Sequence, residues 1–415
     1  MKIAIIGSGI AGLTSAYYLH QANHEVHIFE ANDYIGGHTH TVNVTVKGEQ
    51  HAIDTGFIVL NDWTYPNFQK LLRELNVATQ PTEMSFSVCD KSADFEYSGS
   101  HLKGLFATRR HLYSPSFWRM LRDIMRFNRD ALTDLEAQHI DADISLGQYL
   151  KERCYSQLFV ERYIVPMGAA IWSMPTAQML DFPLLFFVRF FKNHGLLSIN
   201  NRPQWHVIKG GSRSYIGPLT AGFKERIYLN APVSRIERNA RGVTIISPRG
   251  SEAFDTVVMA CHSDTALQLL AQPSMTEQDV LSALPYANNE VVLHTDTNLL
   301  PNRRIAWASW NYNIHDAQQG ASLTYNMNIL QGIKSDTTFC VSLNQTEHIS
   351  ADKILATFDY AHPQFSLTGV AAQARWAEIS GVNHTYFCGA YWANGFHEDG
   401  VVSALRVVEQ LKVRS

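Results

Sequence analysis

The chain has 415 residues, of which 46% are hydrophobic and 17% charged, so at about 150 residues per domain it holds two to three domains. That composition can bury a large core and excludes a disordered chain. The net charge of -4 excludes a nucleic-acid-binding surface spread over the whole protein.

The first apolar run, Lys2 to Ile6, reads as a strand buried on both faces. Glycines interrupt it at once and no small-residue cleavage site follows, so it is not expected to be a leader peptide. Gly7-Ser8-Gly9-Ile10-Ala11-Gly12 comes next, then a helical stretch from Leu13 to Ala22 and a second strand from Glu25 to Glu30. Each glycine has a task in a dinucleotide fold. Gly7 makes the tight turn, Gly9 lets the backbone approach a diphosphate, and Gly12 lets helix and strand pack closely. The helix N-terminus then offers free N–H groups and the positive end of its dipole. Glu30, 18 residues after Gly12, can accept both ribose hydroxyls and would repel a 2′-phosphate. The ligand is therefore NAD or FAD, not NADP.

A hairpin is predicted from Val42 to Val46 and His51 to Asp54, closing on Asp54-Thr55-Gly56-Phe57. Arg119, Arg122, Arg126 and Arg129 recur at helical spacing, with Trp118, Leu121, Met125 and Leu132 largely on another side. Such a helix can lie on an anionic membrane surface, or keep its arginines solvated or internally paired. From Asp181 to Lys192 the chain is rich in phenylalanine. A helix starting near Pro183 would be apolar almost all round, so it is core, lines an apolar tunnel, or meets lipid. Phe186 and Phe190 on it are candidate substrate contacts. Asn230 to Ile236 leads into a further hairpin and a strand from Phe254 to Cys261. At the end, Tyr386 to Trp392 and Gly395-Phe396-His397-Glu398-Asp399-Gly400 precede a helix with Val401, Ala404, Leu405 and Val408 at helical spacing.

No metal site is expected. His38 and His40 would point to opposite faces of an extended stretch, and Val401 stands where an H-E-x-x-H motif starting at His397 needs its second histidine. The five cysteines, at 89, 154, 261, 340 and 388, are widely spaced, which predicts free thiols in a reducing compartment. With no apolar run of about 18 residues, a cytoplasmic protein is expected, with a peripheral place at the inner membrane open to it through the arginine helix.

From Glu30-Ala31-Asn32-Asp33-Tyr34-Ile35-Gly36-Gly37-His38-Thr39 onward the chain resembles the FAD-dependent amine oxidase and phytoene desaturase superfamily. The resemblance implies FAD, bound non-covalently, over NAD. It implies cofactor contacts from Gly7, Ser8, Gly9, Ala11 and Gly12 in the first turn, and from Glu30 and Ala31 after the second strand. Gly36 and Gly37 would approach the diphosphate, with Thr39 beside them; many relatives have Arg where this chain has His38. Gly56 and Phe57 would lie beside the flavin ring, and Val233 on the adenine. Gly389, Ala390, Glu398, Gly400 and Val401 belong to the strand, loop and helix that hold the ribityl chain and flavin. Relatives usually have Asp or Glu at position 390, so here backbone, water or another side chain must make that contact. Phe396 matches one aromatic half of the cage that guides amines in amine oxidases, and otherwise serves as an apolar wall.

The implied fold is α/β: a Rossmann-like FAD-binding domain made of 1–60, 205–265 and 375–415, with a discontinuous α+β substrate domain, 61–204 and 266–374, in amine-oxidase fashion. No nucleophile elbow, phosphate loop or triad is present, and hydride transfer to a flavin requires none; no catalytic residue is named. Trp205 to Ser212, Leu323 to Asn328 and Gly395 to Gly400 look like a branch of bacterial flavoproteins similar to the flavoprotein half of plant cyclopropane fatty acid synthases. This implies an apolar, acyl-lipid substrate and a desaturase-like reaction. The rival readings are an amine oxidase, a flavin-dependent isomerase, and a flavin-loaded accessory partner of a lipid methyltransferase.

Overall fold

Lys2–Ile6 runs through the middle of a five-stranded sheet, and from Ile3 onward it is fully or almost fully buried. The computed structural model describes residues 1–198, 200, 202–314 and 322–414. Across the sheet the order is Ile227–Tyr228, Glu25–Phe29, Lys2–Ile6, Thr256–Met259 and Thr385–Phe387, all parallel. Strands from the beginning, middle and end of the chain thus meet in one layer, with their carboxyl ends along one edge. Helix Ile10–Gln21 starts at that edge, and the last helix, His397–Arg414, packs along it. Gly400 permits the approach: a Cβ there would lie 2.7 Å from Ile10 Cγ2. An antiparallel sheet, Arg235–Asn239, Gly242–Ser247 and Gly250–Phe254, follows as a side layer.

Two segments expected in the substrate domain pack with this sheet instead. Helix Pro66–Glu74 sends Phe68, Leu71 and Leu72 into the core around Ile10–Gln21, and Met275–Ser282 sends Val280 and Leu281 into the core on the other face. Their spacing marks an apolar helix face; it carries no information about which core receives that face.

The remaining chain builds a seven-stranded sheet and a helical layer. The sheet order is Ile354–Pro363, Tyr286–His294, Cys340–Leu343, Leu323–Asn326, Trp310–Asn313, Phe86–Asp90 and Phe95–Ser98. Pro115–Glu136, Leu146–Glu152, Val165–Trp172 and Leu184–Asn193 share a core rich in aromatic rings, among them Phe127, Phe159 and Phe187. Pro166 has no N–H to give the Arg162 carbonyl, and the helix widens by one turn at Val160–Ile164 just before it. The Tyr97 hydroxyl donates to that carbonyl at 2.7 Å instead. The hairpin Thr41–Val46 and Glu49–Asp54 turns at Lys47-Gly48, both with positive φ, as a two-residue turn requires.

The arginine row does not stay on one open face. Arg119 and Arg122 are exposed, whereas Arg126 lies 4.1 Å above the Tyr155 ring and pairs with Asp123 at 3.1 Å. Arg129 pairs with Asp130 at 2.9 Å. Among the described residues no helix is long and apolar enough to cross a membrane, no three side chains form a metal-binding group, and all five cysteines are free.

Candidate active site

One cavity of about 1080 Å³ runs from the carboxyl edge of the parallel sheet to the helical and seven-stranded layers. Its first wall is the glycine turn. Gly7, with φ +104°, has no room for a side chain, because a Cβ would lie 2.9 Å from the Ala260 carbonyl oxygen. Gly9 precedes Ile10–Gln21, and no protein atom comes within 4 Å of where its Cβ would stand. Gly36 pairs with Gly9, and Gly37 comes so close that a Cβ on it would lie 3.2 Å from Gly9 Cα. The Ser8 N–H and hydroxyl donate to one oxygen of Glu30 at 2.8 and 2.6 Å, and the Asn32 N–H donates to the other at 2.9 Å. That second oxygen keeps an open acceptor position.

Beside the turn stand three histidines, His38, His262 and His362, with ring centroids 6.4 and 5.3 Å from His38 to the other two. His362 Nδ1 is paired with the Asn289 amide at 3.0 Å, and His262 stacks on Tyr286. His38 Nε2 is buried and without a partner. Burial, then repulsion from His362, His262 and His397, holds the His38 ring well below the usual histidine range. Burial pushes His362 down to about 4. All three are neutral imidazoles at pH 7.

Farther in, Phe57 stacks on His397 at 3.6 Å. His397 Nε2 lies 3.1 Å from the Thr39 hydroxyl and 3.0 Å from that of Tyr215, and burial brings this ring down to about 3. Gly389 and Ala390 complete this stretch of wall. The far walls are apolar: Tyr163, Met167 and Ile171 from the helix around Pro166, Phe190 from Leu184–Asn193, and Trp310 and Tyr325 from the large sheet. Phe396 and Phe190 stack at 5.1 Å.

The lining holds Gly7, Ser8, Gly9, Ala11, Glu30, Ala31, Gly36, Gly37, His38, Gly56, Phe57, Gly389, Ala390, Phe190 and Phe396. Other residues named from the sequence lie outside it. Gly12 sits beneath Gly7, where a Cβ would be 2.1 Å from the Gly7 carbonyl oxygen. Thr39 turns to Tyr215, Gly400 touches Ile10, and Val401 is core. Val233 is half-buried against the second core of the sheet. Glu398 faces away from the cavity and accepts from the Asn67 and Phe68 N–H groups, where it offsets the positive end of helix Pro66–Glu74. Phe186 stands behind the wall, 5.1 Å from Phe365. His262 and His362 were missed. The position of His262, just beyond the strand Thr256–Met259, was a usable signal, since ligands bind at strand carboxyl ends; His362 had none.

Residues 10–327 match the family described as flavin containing amine oxidoreductase. The chain belongs to that family. Its cofactor is FAD, and the family is one of oxidoreductases. A Mycobacterium tuberculosis protein carrying the name flavin-containing monoamine oxidase AofH is 28% identical over 272 residues, 63% of this chain and 56% of that protein. Human amine oxidase [flavin-containing] B is 23% identical over 260 residues, 59% of this chain and 46% of that one. The chain spans about half the length of these curated relatives. Among solved structures, putrescine oxidase bound to putrescine aligns with a TM-score of 0.71 at 16% identity, covering 100% of this chain and 99% of that one. A fatty acid isomerase from P. acnes that produces CLA aligns at 0.69 and 13%, covering 99% and 98%. These likenesses establish the amine-oxidase-like α/β fold. The cavity suits the cofactor: open space at Gly9 and a helix N-terminus face where a diphosphate would lie, and the His38 ring lines the wall beside them.

Proposed function

We propose that this protein is an FAD-dependent oxidoreductase that takes hydride from an apolar, acyl-lipid substrate. The observation that carries the reading is the composition of the far walls. They are aromatic and aliphatic, and the described lining has two carboxylates, Glu30, engaged by Ser8 and Asn32, and Glu83, which is exposed at the rim. A cationic amine would have no buried counter-charge there, whereas an alkyl chain gains about 0.8 kcal/mol per buried CH₂. Phe396 and Phe190 are in van der Waals contact, so no slot for an amine exists between them.

In this reading Gly9 leaves room for the diphosphate, Gly7 and Gly37 let the chain close tightly around that place, and Glu30 holds the sugar. Gly56, Phe57, Gly389, Ala390 and the His397 ring border the flavin, which supplies hydride acceptance at N5 when bound. Tyr163, Met167, Phe190 and Phe396 hold the chain against it and exclude water. His397, kept neutral and tied to Thr39 and Tyr215, positions Phe57. In this reading the FAD is held non-covalently, with the Cys261 thiol the one cysteine in the described lining.

The test is anaerobic mixing of the FAD-loaded protein with phospholipid fractions while flavin absorbance is followed. Bleaching by lipids, with a product two mass units lighter, supports the proposal. Bleaching by amines alone would assign an amine oxidase, and a lipid product of unchanged mass an isomerase. Flavin that nothing reduces, in a protein that co-purifies with a methyltransferase, would assign an accessory role.

A further inference from the structure

We propose that the surface around the mouth of the cavity, built by Leu102, Lys103, Leu112, Tyr113, Trp118 and Arg122, docks the protein on an anionic lipid bilayer. The inference rests on the lipid reading of the cavity and adds where the lipid comes from.

Exposed lining residues lie at Ala31 and Asn32, at Glu83 and Arg202, and at Ser100, His101, Arg304 and Ile305, the last four forming the opening at the docking surface. The helical turn Leu102–Leu105 begins there and abuts the opposite lip, since a Cβ on Gly104 would lie 3.2 Å from the Ile305 carbonyl oxygen. Phe106 follows and packs 5.5 Å from Trp118, and the Trp118 indole donates to the Leu112 carbonyl at 3.0 Å. A continuous surface therefore leads from the mouth to the start of helix Pro115–Glu136. It is unusually apolar for exposed protein: Leu102 is 76% exposed, Tyr113 87%, and Leu112 and Trp118 45% each, with Ile305 at 43% across the mouth. With its N–H already bonded to Leu112, the Trp118 ring can enter a headgroup layer without leaving a donor unpaired.

Charge selects the partner. Between Tyr97 and Arg129 the chain carries seven Lys and Arg against one acid, Asp123, in a protein whose net charge is -4. Asp123 is buried beneath Arg126 and does not face the surface. Lys103, Arg109, Arg119 and Arg122 are exposed around the apolar residues. Aromatic and aliphatic side chains interleaved with cations fit a layer that has anionic headgroups above and acyl chains below. With its mouth against the bilayer, the cavity would admit an acyl chain without passing it through water.

The experiment uses the FAD-loaded full chain and sedimentation with vesicles of phosphatidylcholine, with or without phosphatidylglycerol. Binding to the anionic vesicles alone is expected, weakened as salt is raised. Arg119→Glu with Arg122→Glu should weaken it about tenfold or more, and Leu112→Ser with Trp118→Ser should do so at unchanged salt dependence. Retained FAD absorbance in each variant shows that the fold is intact. Equal binding to neutral vesicles, no effect of either pair, or a face that ignores vesicles while retaining a protein partner would each overturn the proposal. The substrate reading is judged separately: vesicle binding without flavin bleaching sinks that reading and leaves docking standing, while bleaching by detergent-dispersed lipid without vesicle binding does the reverse.

Discussion

Gly9 and Gly12 lie three residues apart, and replacing them should do opposite things. A Cβ at Gly9 meets nothing in the protein, so Gly9→Ala should leave unfolding of the FAD-free chain within about 0.5 kcal/mol of the parent. Its methyl occupies the space the diphosphate needs, so FAD binding should fall by about tenfold or more in a fluorescence titration. Gly12→Ala puts a methyl into the Gly7 carbonyl and should cost stability directly, about 1–3 kcal/mol or more in denaturant unfolding. If Gly12→Ala unfolds like the parent, the turn is looser than its geometry implies. His38 yields a second expectation at this scale. Its Nε2 has no partner and its ring is held neutral, chiefly by burial, yet it stands beside the place for a dianionic diphosphate. Loading FAD at pH 7 should therefore take up about one proton, read by calorimetry in buffers of different ionisation enthalpy. In His38→Gln the uptake should vanish. Uptake that survives would assign the proton to His262 or His362, the rings that face His38.

Within the phenylalanine-rich helix Leu184–Asn193, one turn separates the buried Phe190, which lines the cavity, from the half-buried Phe186, which does not. Phe190 lines the cavity and stacks on both His194 and Phe396, whereas Phe186 packs behind it on Phe365. Phe190→Ala should cost about 3–5 kcal/mol of stability and also slow flavin reduction by the substrate, because the wall that presses the chain inward is gone. Phe186→Ala should lower the melting temperature with flavin reduction unchanged. Equal kinetic effects would mean that both rings act through packing alone. The sequence left this helix as core, tunnel wall or lipid-facing and does not say which of its rings faces the cavity; that depends on where Phe365 and Phe396 arrive from elsewhere. The first wall of the site was legible because the strand, turn, helix and Glu30 are contiguous and each constraint is local. The histidine cluster was not, since His38, His262 and His362 reach it from three separate stretches with no shared spacing. For the same reason Glu398 and Gly400, two residues apart in a recognisable motif, prove to cap one helix and press against another.

The whole molecule carries an unusual number of buried neutral histidines, and this sets its response to acid. Burial lowers His111, His194, His294 and His362 to about 4 and His397 to about 3, and holds His38 well below the usual histidine range. Unfolded, each would titrate near 6.5, so below that pH the unfolded chain binds protons that the folded one refuses, and stability is lost as pH falls. Asp54 and Asp399 act in the opposite sense, because burial raises both to about 6 and protonation between there and about 4 favours the folded state. Each group contributes about 1.4 kcal/mol per pH unit. Six histidines against two carboxylates leave a net loss of roughly 5 kcal/mol for each unit below about pH 6. A protein with a total of about 5–15 kcal/mol then unfolds well above the pH at which ordinary carboxylates protonate. Denaturant titrations of the FAD-free chain at half-unit steps from pH 7 to 4.5 should show a flat stretch above 6.5 and a steady decline below it. His194→Gln with His362→Gln should remove two of the six opposing histidines and about halve the slope. A stability that rises on acidification would mean that these rings accept protons in the folded protein.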